Sequence, residues 1–289
     1  MFNRVVIVGV GLLGGSLARD LRQQKLAAQI IGVCRSRQSA AAAESQQIVD
    51  RVLPLDQAVV GADLIVLATP MQAMITLLQE IHELMADDTI LTDVGSVKND
   101  LYQALRHSLP DLLSRFVLAH PIAGGENSGI SASRVGMFEH KHVIITGTDE
   151  VADDAVEAVS LMWQQVGAKV INMSLQQHDA IFAKTSHLPH MVAFSLVNYL
   201  SSQPDREQLF DLAAAGFYDF TRIASSNAEM WRDICITNKD EILHALDGFT
   251  SQLADIREHI SNSDQQGILE YFSAAKTARD AGLLKKQAE

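Results

Sequence analysis

Several short stretches hold side chains whose types and spacing suit chemistry. The first is Gly9-Val-Gly11-Leu12-Leu13-Gly14, which ends the apolar run Arg4-Val-Val-Ile-Val8 and leads into a helical pattern. Glycine turns also end ordinary strands, but a strand before and a helix after favour a dinucleotide. Gly9 then makes the tight turn, Gly11 lets backbone approach a pyrophosphate, and Gly14 lets the helix pack close to the strand. The free amides and positive dipole end of the helix face the anion. Leu12 and Leu13 within the turn, and Thr69-Pro70 at the end of the strand Ala62 to Pro70, join these glycines as expected cofactor contacts.

Where NAD sites usually carry an acid for the ribose 2′-hydroxyl, this chain has Arg35-Ser36-Arg37. A guanidinium fork beside a hydroxyl suits a 2′-phosphate, so NADP is expected ahead of NAD, with NAD still possible. Two further strand ends carry Asp93-Val-Gly-Ser96-Val-Lys98 and His120-Pro-Ile-Ala-Gly124-Gly125-Glu126. Ligands of open α/β sheets sit beyond the carboxyl ends of the strands, which brings these loops toward the reacting end of the cofactor. A histidine there suits a base for a hydroxyl proton during hydride transfer. Ser96 suits a hydrogen bond to that histidine or to substrate, and equally suits the N-cap of the following helix. Further on, Ser186-His187-Leu-Pro-His190 puts two histidines on one side of a helix, with no third ligand evident, so no metal is expected. Arg222 lies among apolar neighbours, either as a clamp for a carboxylate or as the partner of Asp219 or Asp233.

The elements that must position these residues follow from periodicity. Apolar runs at 29–34, 62–70, 89–93, 115–120, 142–146 and 169–172 alternate with helical patterns, predicting a doubly wound, mainly parallel sheet. Beyond about Ser174 the apolar spacing is that of helices only. The chain is therefore read as α/β, with a Rossmann-type domain over 1–172 and an all-helical domain over 173–289. Stripes such as Leu188/Val192/Leu196 suit ordinary core or a dimer interface. The last residues, Leu284 to Glu289, read as a solvated, fraying end.

Composition excludes other classes. A net charge of −12 argues against a nucleic-acid or anionic-membrane surface, and no apolar run approaches ~20 residues. The first strand leaves no room for a secretion signal, and the distant Cys34 and Cys235 form no disulfide framework, so a cytoplasmic location is expected.

Six segments together resemble the prephenate/arogenate dehydrogenase family of tyrosine biosynthesis. They are Gly9–Ser16, Asp93–Lys98, His120–Gly124, Ser186–His190, Asp219–Ile223 and Met230–Asp233. The resemblance implies a homodimer through the helical domain and substrate in a cleft between domains. It implies His120 as the group that accepts the ring hydroxyl proton, with Ser96 assisting at the meeting point of substrate and cofactor. It also implies His190 and Arg222 on substrate carboxylates and His187 near the nicotinamide. Gly125 and Glu126 lie where the loop would read the substrate's keto or amino group. A competing reading, an NADP-linked 3-hydroxyacid dehydrogenase or imine reductase, requires a catalytic lysine, for which Lys184 is the nearby candidate. A third reading is an NADP sensor without turnover.

Overall fold

The computed structural model describes residues 1–125 and 127–288. Eight strands form one sheet in the order β3-β2-β1-β4-β5-β6-β7-β8. They are β1 (Phe2–Val8), β2 (Ala27–Val33), β3 (Arg51–Val52), β4 (Leu64–Leu67), β5 (Ile90–Asp93), β6 (Phe116–Pro121), β7 (His142–Thr146) and β8 (Lys169–Met173). All pairs are parallel except β6 with β7, where His120 lies opposite Ile144. The helices among them are α1 (Leu12–Gln23), α2 (Arg37–Ser45), α3 (Leu55–Val59), α4 (Met71–His82), α5 (Asn99–Ser108) and α6 (Asp153–Gln165).

Both faces of the sheet are covered over its central strands β1, β4, β5 and β6, which is why these read as unbroken apolar runs, while the edge strand β8 is largely exposed. Val5 and Ile7 of β1 point into one core with Leu17, Leu21 and Val66, while Val6 and Val8 point into the other with Ile65, Leu67 and Leu78. The strand order reverses between β1 and β4. The crevice at such a switch point is where this architecture places ligands, and it is flanked here by the glycine turn after β1 and Thr69-Pro70 after β4.

After β8 come α7 (Leu175–Phe182), a π-helical turn (Ala183–His187), α8 (Leu188–Ser201), α9 (Arg206–Asp211), α10 (Ala215–Thr221), α11 (Ala228–Thr237), α12 (Lys239–Ser261) and α13 (Gln265–Ala288). Internal packing divides the chain into two compact units, residues 1–239 and residues 240 onward. The first holds the sheet together with α7 to α11. The second is a pair of long helices whose turn is tied by His259 Nδ1 to Asp264 Oδ2 at 2.9 Å and by Gly267 N to Asp264 Oδ1 at 3.0 Å. The terminal segment is helical through Ala288. No helix among the described residues is long and apolar enough to cross a membrane.

Candidate functional site

The glycine turn has the geometry a dinucleotide requires. Gly9 has φ +98°, and a Cβ there would meet the Ala68 carbonyl oxygen at 2.5 Å. At Gly14 a Cβ would strike Gly9 O at 2.3 Å and Ile7 Cγ2 at 2.9 Å, so only glycine permits the strand and α1 to approach this closely. Gly11 differs, since nothing lies within 4 Å of the place a Cβ would fill. That open space borders the first turn of α1, where the amides of Leu12, Leu13 and Gly14 have no intrahelical acceptor. Across the crevice Thr69 Oγ1 is buried without a protein partner. An open cradle, free amides and an orphaned hydroxyl fit a nicotinamide dinucleotide. At the end of β2, Arg35 and Arg37 are exposed, while Ser36 Oγ accepts from Ser39 N at 3.0 Å and so caps α2.

At the ends of β5 and β6 the chain buries a charged network. The Lys98 and Asp93 side chains are 0% exposed and paired. Asp93 Oδ1 accepts from Ala119 N at 3.1 Å and Oδ2 from Gly95 N at 2.8 Å, while Lys98 Nζ donates to Ala119 O at 2.8 Å. Both polar groups of Ala119 are thus held, and the next residue is His120. Burial lowers the Lys98 ammonium, and the paired Asp93 carboxylate opposes that shift.

His120 Nδ1 lies 2.8 Å from His178 Nε2, and His178 Nδ1 lies 2.7 Å from Asp179 Oδ1. The Phe182 ring packs on both imidazoles, with centroids 4.9 Å from His120 and 4.7 Å from His178. Burial, then the neighbouring His178, Lys98 and His187, hold His120 well below the ordinary histidine value. The imidazole is therefore neutral near pH 7, the form that accepts a proton.

The histidines of the 186–190 segment diverge in use. His187, in the π turn, is 1% exposed and takes the Asn238 amide at 3.1 Å on its Nδ1. Burial lowers it to about 4 against the opposing Asp179 charge. His190, one turn on, stacks on Trp231 with centroids 3.8 Å apart and gives its Nδ1–H to Ser186 O at 2.9 Å. Burial, with a contribution from the nearby Arg222 charge, lowers His190. A cavity of 480 Å³ is lined by Leu12, Gly124, Gly125, Arg134, His190 and Arg222, among others. One wall is thus the cofactor turn, and another carries cations suited to carboxylates.

Several expected residues lie apart from these clusters. The N-cap of α5 is Lys98 rather than Ser96, and the free amides at that helix start go to the Asp179 carboxylate instead of to a cap side chain of the loop. The Nδ1 of His120 is bonded to His178, and no bond joins it to Ser96. Asp233, one suggested partner of Arg222, accepts from Arg232 at 2.6 and 2.9 Å. Lys184, which the 3-hydroxyacid reading needs as a catalyst, is exposed. Glu126 lies outside the described residues. Sequence reasoning missed His178, Asp179, Asn238 and Arg134. For the first two a signal existed: Leu175, His178, Asp179 and Phe182 share one face of α7, so a His-Asp pair interrupts an apolar stripe.

Comparison with known proteins identifies the family. Residues 17–172 match the prephenate dehydrogenase nucleotide-binding domain, and residues 174–274 match the prephenate dehydrogenase dimerization domain. The chain is 33% identical to a prephenate dehydrogenase of Bacillus subtilis, over 99% of this chain and 78% of that one. It is 31% identical to a cyclohexadienyl dehydrogenase of Zymomonas mobilis, over 96% of each. Among solved structures, the prephenate dehydrogenase of A. aeolicus in complex with hydroxyphenyl propionate and NAD+ superposes with a TM-score of 0.91 at 35% identity, covering 97% of this chain and 98% of that one. With both family domains matched along most of its length, this chain belongs to the prephenate dehydrogenase family.

Proposed function

We propose that this protein oxidises prephenate, arogenate or both with NAD(P), with loss of carbon dioxide, to give 4-hydroxyphenylpyruvate or tyrosine, and that His120 is the base. The observation that carries this reading is the convergence, at one end of the sheet, of the glycine turn, the neutral His120 and a cavity bearing Arg222 and His190. His120 takes the proton of the ring C4 hydroxyl as the C4–O bond becomes a carbonyl. A bound nicotinamide supplies the acceptor for the C4 hydrogen as hydride. The ring carboxylate then leaves as carbon dioxide, its bonding electrons completing the aromatic ring while the C4 oxygen takes back a proton as the phenol hydroxyl, so the reaction is pulled forward. Arg222 holds the substrate carboxylate, joined by His190 once that anion draws a proton onto its Nε2, and this fixes C4 relative to His120. Ser96, half-buried in the loop after β5, contacts the substrate hydroxyl, and His187 lies by the nicotinamide.

The exposed Arg35 and Arg37, with no acid at the end of β2, support NADP over NAD. Gly125 lines the cavity, which supports the 124–126 loop as the wall that reads the substrate's keto or amino group, with Glu126 pairing an ammonium. The matched dimerization domain, and exposed apolar residues Leu253, Ile260, Leu269 and Phe272 on α12 and α13, support a homodimer. We further assign the substrate domain to residues from 173 onward and the protein to the cytoplasm.

The test follows absorbance at 340 nm with prephenate or arogenate supplied in turn with NADP or NAD. Rapid reduction of NADP with either substrate is the expected result. Turnover with NAD alone removes the Arg35 argument, and no turnover in any combination overturns the reaction.

A further inference from the structure

We infer that His178 and Asp179 are positioning residues that hold His120 in its Nδ1-protonated tautomer and so keep Nε2 open for the substrate hydroxyl proton. The inference rests on His120 being the base in the reaction proposed above. The direction of the chain of hydrogen bonds follows from its far end. Asp179 accepts backbone N–H bonds from Lys98 at 3.0 Å and Asn99 at 2.9 Å, at the start of α5, where amides lack intrahelical partners and the helix dipole favours an anion. A carboxylate has no proton to give, so His178 must donate from Nδ1 to Asp179 Oδ1. Burial lowers His178, which keeps it neutral and leaves its Nε2 as an acceptor only. His120 must then donate from Nδ1. Its Nε2 carries the lone pair.

The tautomer is not the one a free imidazole prefers, and among the described residues His178 is the hydrogen-bond partner that imposes it. Phe182 packs on the ring through its aromatic edge or face and accepts no such hydrogen bond. Lys98 is committed to Asp93 and Ala119, and His187 to Asn238. The same chain serves the reaction as it proceeds. When the substrate O–H bond breaks and an N–H bond forms at His120 Nε2, the imidazolium retains its Nδ1–H bond to His178. The Asp179 charge stands behind that bond, and no second proton has to move.

Three variants and one spectrum test the assignment. In wild-type protein labelled with ¹⁵N-histidine, the His120 resonances, identified by their absence in His120→Asn, should report Nδ1–H. His178→Leu removes the acceptor and should cut kcat by about 10²-fold with KM within about 3-fold. His178→Gln places Oε1 where Nε2 stood and should return kcat to within about 10-fold of wild type. A structural role alone would not separate these two variants or set the wild-type spectrum. An Nε2–H tautomer in the wild type, or His178→Leu turning over within about 3-fold of wild type, overturns the proposal. If His178→Leu fails to fold, the wild-type spectrum decides. Normal turnover by His120→Asn would instead remove the base itself and the reading on which the inference rests.

Discussion

The two walls of the site are built in opposite ways. Beneath His120, Asp93 and Lys98 are wholly buried, and each of their polar contacts is to another part of the protein. Around the cavity, Gly124 has nothing within 4 Å of its Cβ position, Gly125 has little, and Arg134 and Arg222 are exposed. The first wall is finished before any ligand arrives. The second is shaped to be completed by one. A proton-accepting imidazole must be correctly placed to a fraction of an ångström, whereas an anion-binding wall adapts through long side chains. Stability should therefore be concentrated under His120, and ligand affinity should be concentrated around Arg222.

The largest effect that would break this contrast comes from Lys98→Met. It leaves the Asp93 carboxylate buried with two backbone donors and no cation. Removing one partner of a buried pair costs about 3 to 5 kcal/mol, read as a lower urea midpoint at unchanged slope. The double variant Asp93→Asn/Lys98→Met should recover part of that loss, because the two sites share one network. A loss below about 1 kcal/mol in the single variant would show that the wall under His120 is no more structural than the one opposite.

A smaller effect in free energy, but a sharper one in function, is expected from His120→Asn. Turnover should fall by at least ~10²-fold with KM little changed, the usual scale for a general base. The Asn amide can stand in for Nδ1–H as donor to His178, and the buried Asp93 and Lys98 bond to Ala119 rather than to the ring, so the melting temperature should hold. Near-normal kcat would dismiss His120 as the base, while a collapse of stability would move it into the structural wall.

The contrast also tracks what was legible in the sequence. Buried parallel strands announce themselves as apolar runs, and the glycine turn as a local pattern, so β1, α1 and the switch point could be read directly. The two-residue β3 has too few residues for any period, and the antiparallel direction of β7 leaves no mark on apolar spacing. His120 was readable because it ends a strand. Its partners were not, because His178 is 58 residues away and meets it only once α7 packs against the sheet. Lys98 looked like one more residue of a polar loop, since burial of a lysine depends on a carboxylate supplied by the fold. Trp231 was readable as core, and Arg232–Asp233 as an ion pair. The stacking of Trp231 on His190 was not readable, because it joins α8 to α11 across more than a full helix of sequence.

The smallest effect belongs to the adaptable wall and tests the other half of the contrast. Arg222→Lys keeps the positive charge and loses the planar fork that can hold a carboxylate through two parallel bonds. Stability should change far less than in Lys98→Met, because the side chain is exposed and its positive charge is kept. KM for the substrate should rise by about 10-fold, with kcat within about 3-fold, because the lost bond serves ground state and transition state alike. If kcat falls as far as KM rises, Arg222 also orients C4 for the transfer, and both walls then share the task of alignment. If neither changes, the carboxylate is held elsewhere in the cavity, and Arg134, on the same lining, becomes the residue to substitute next.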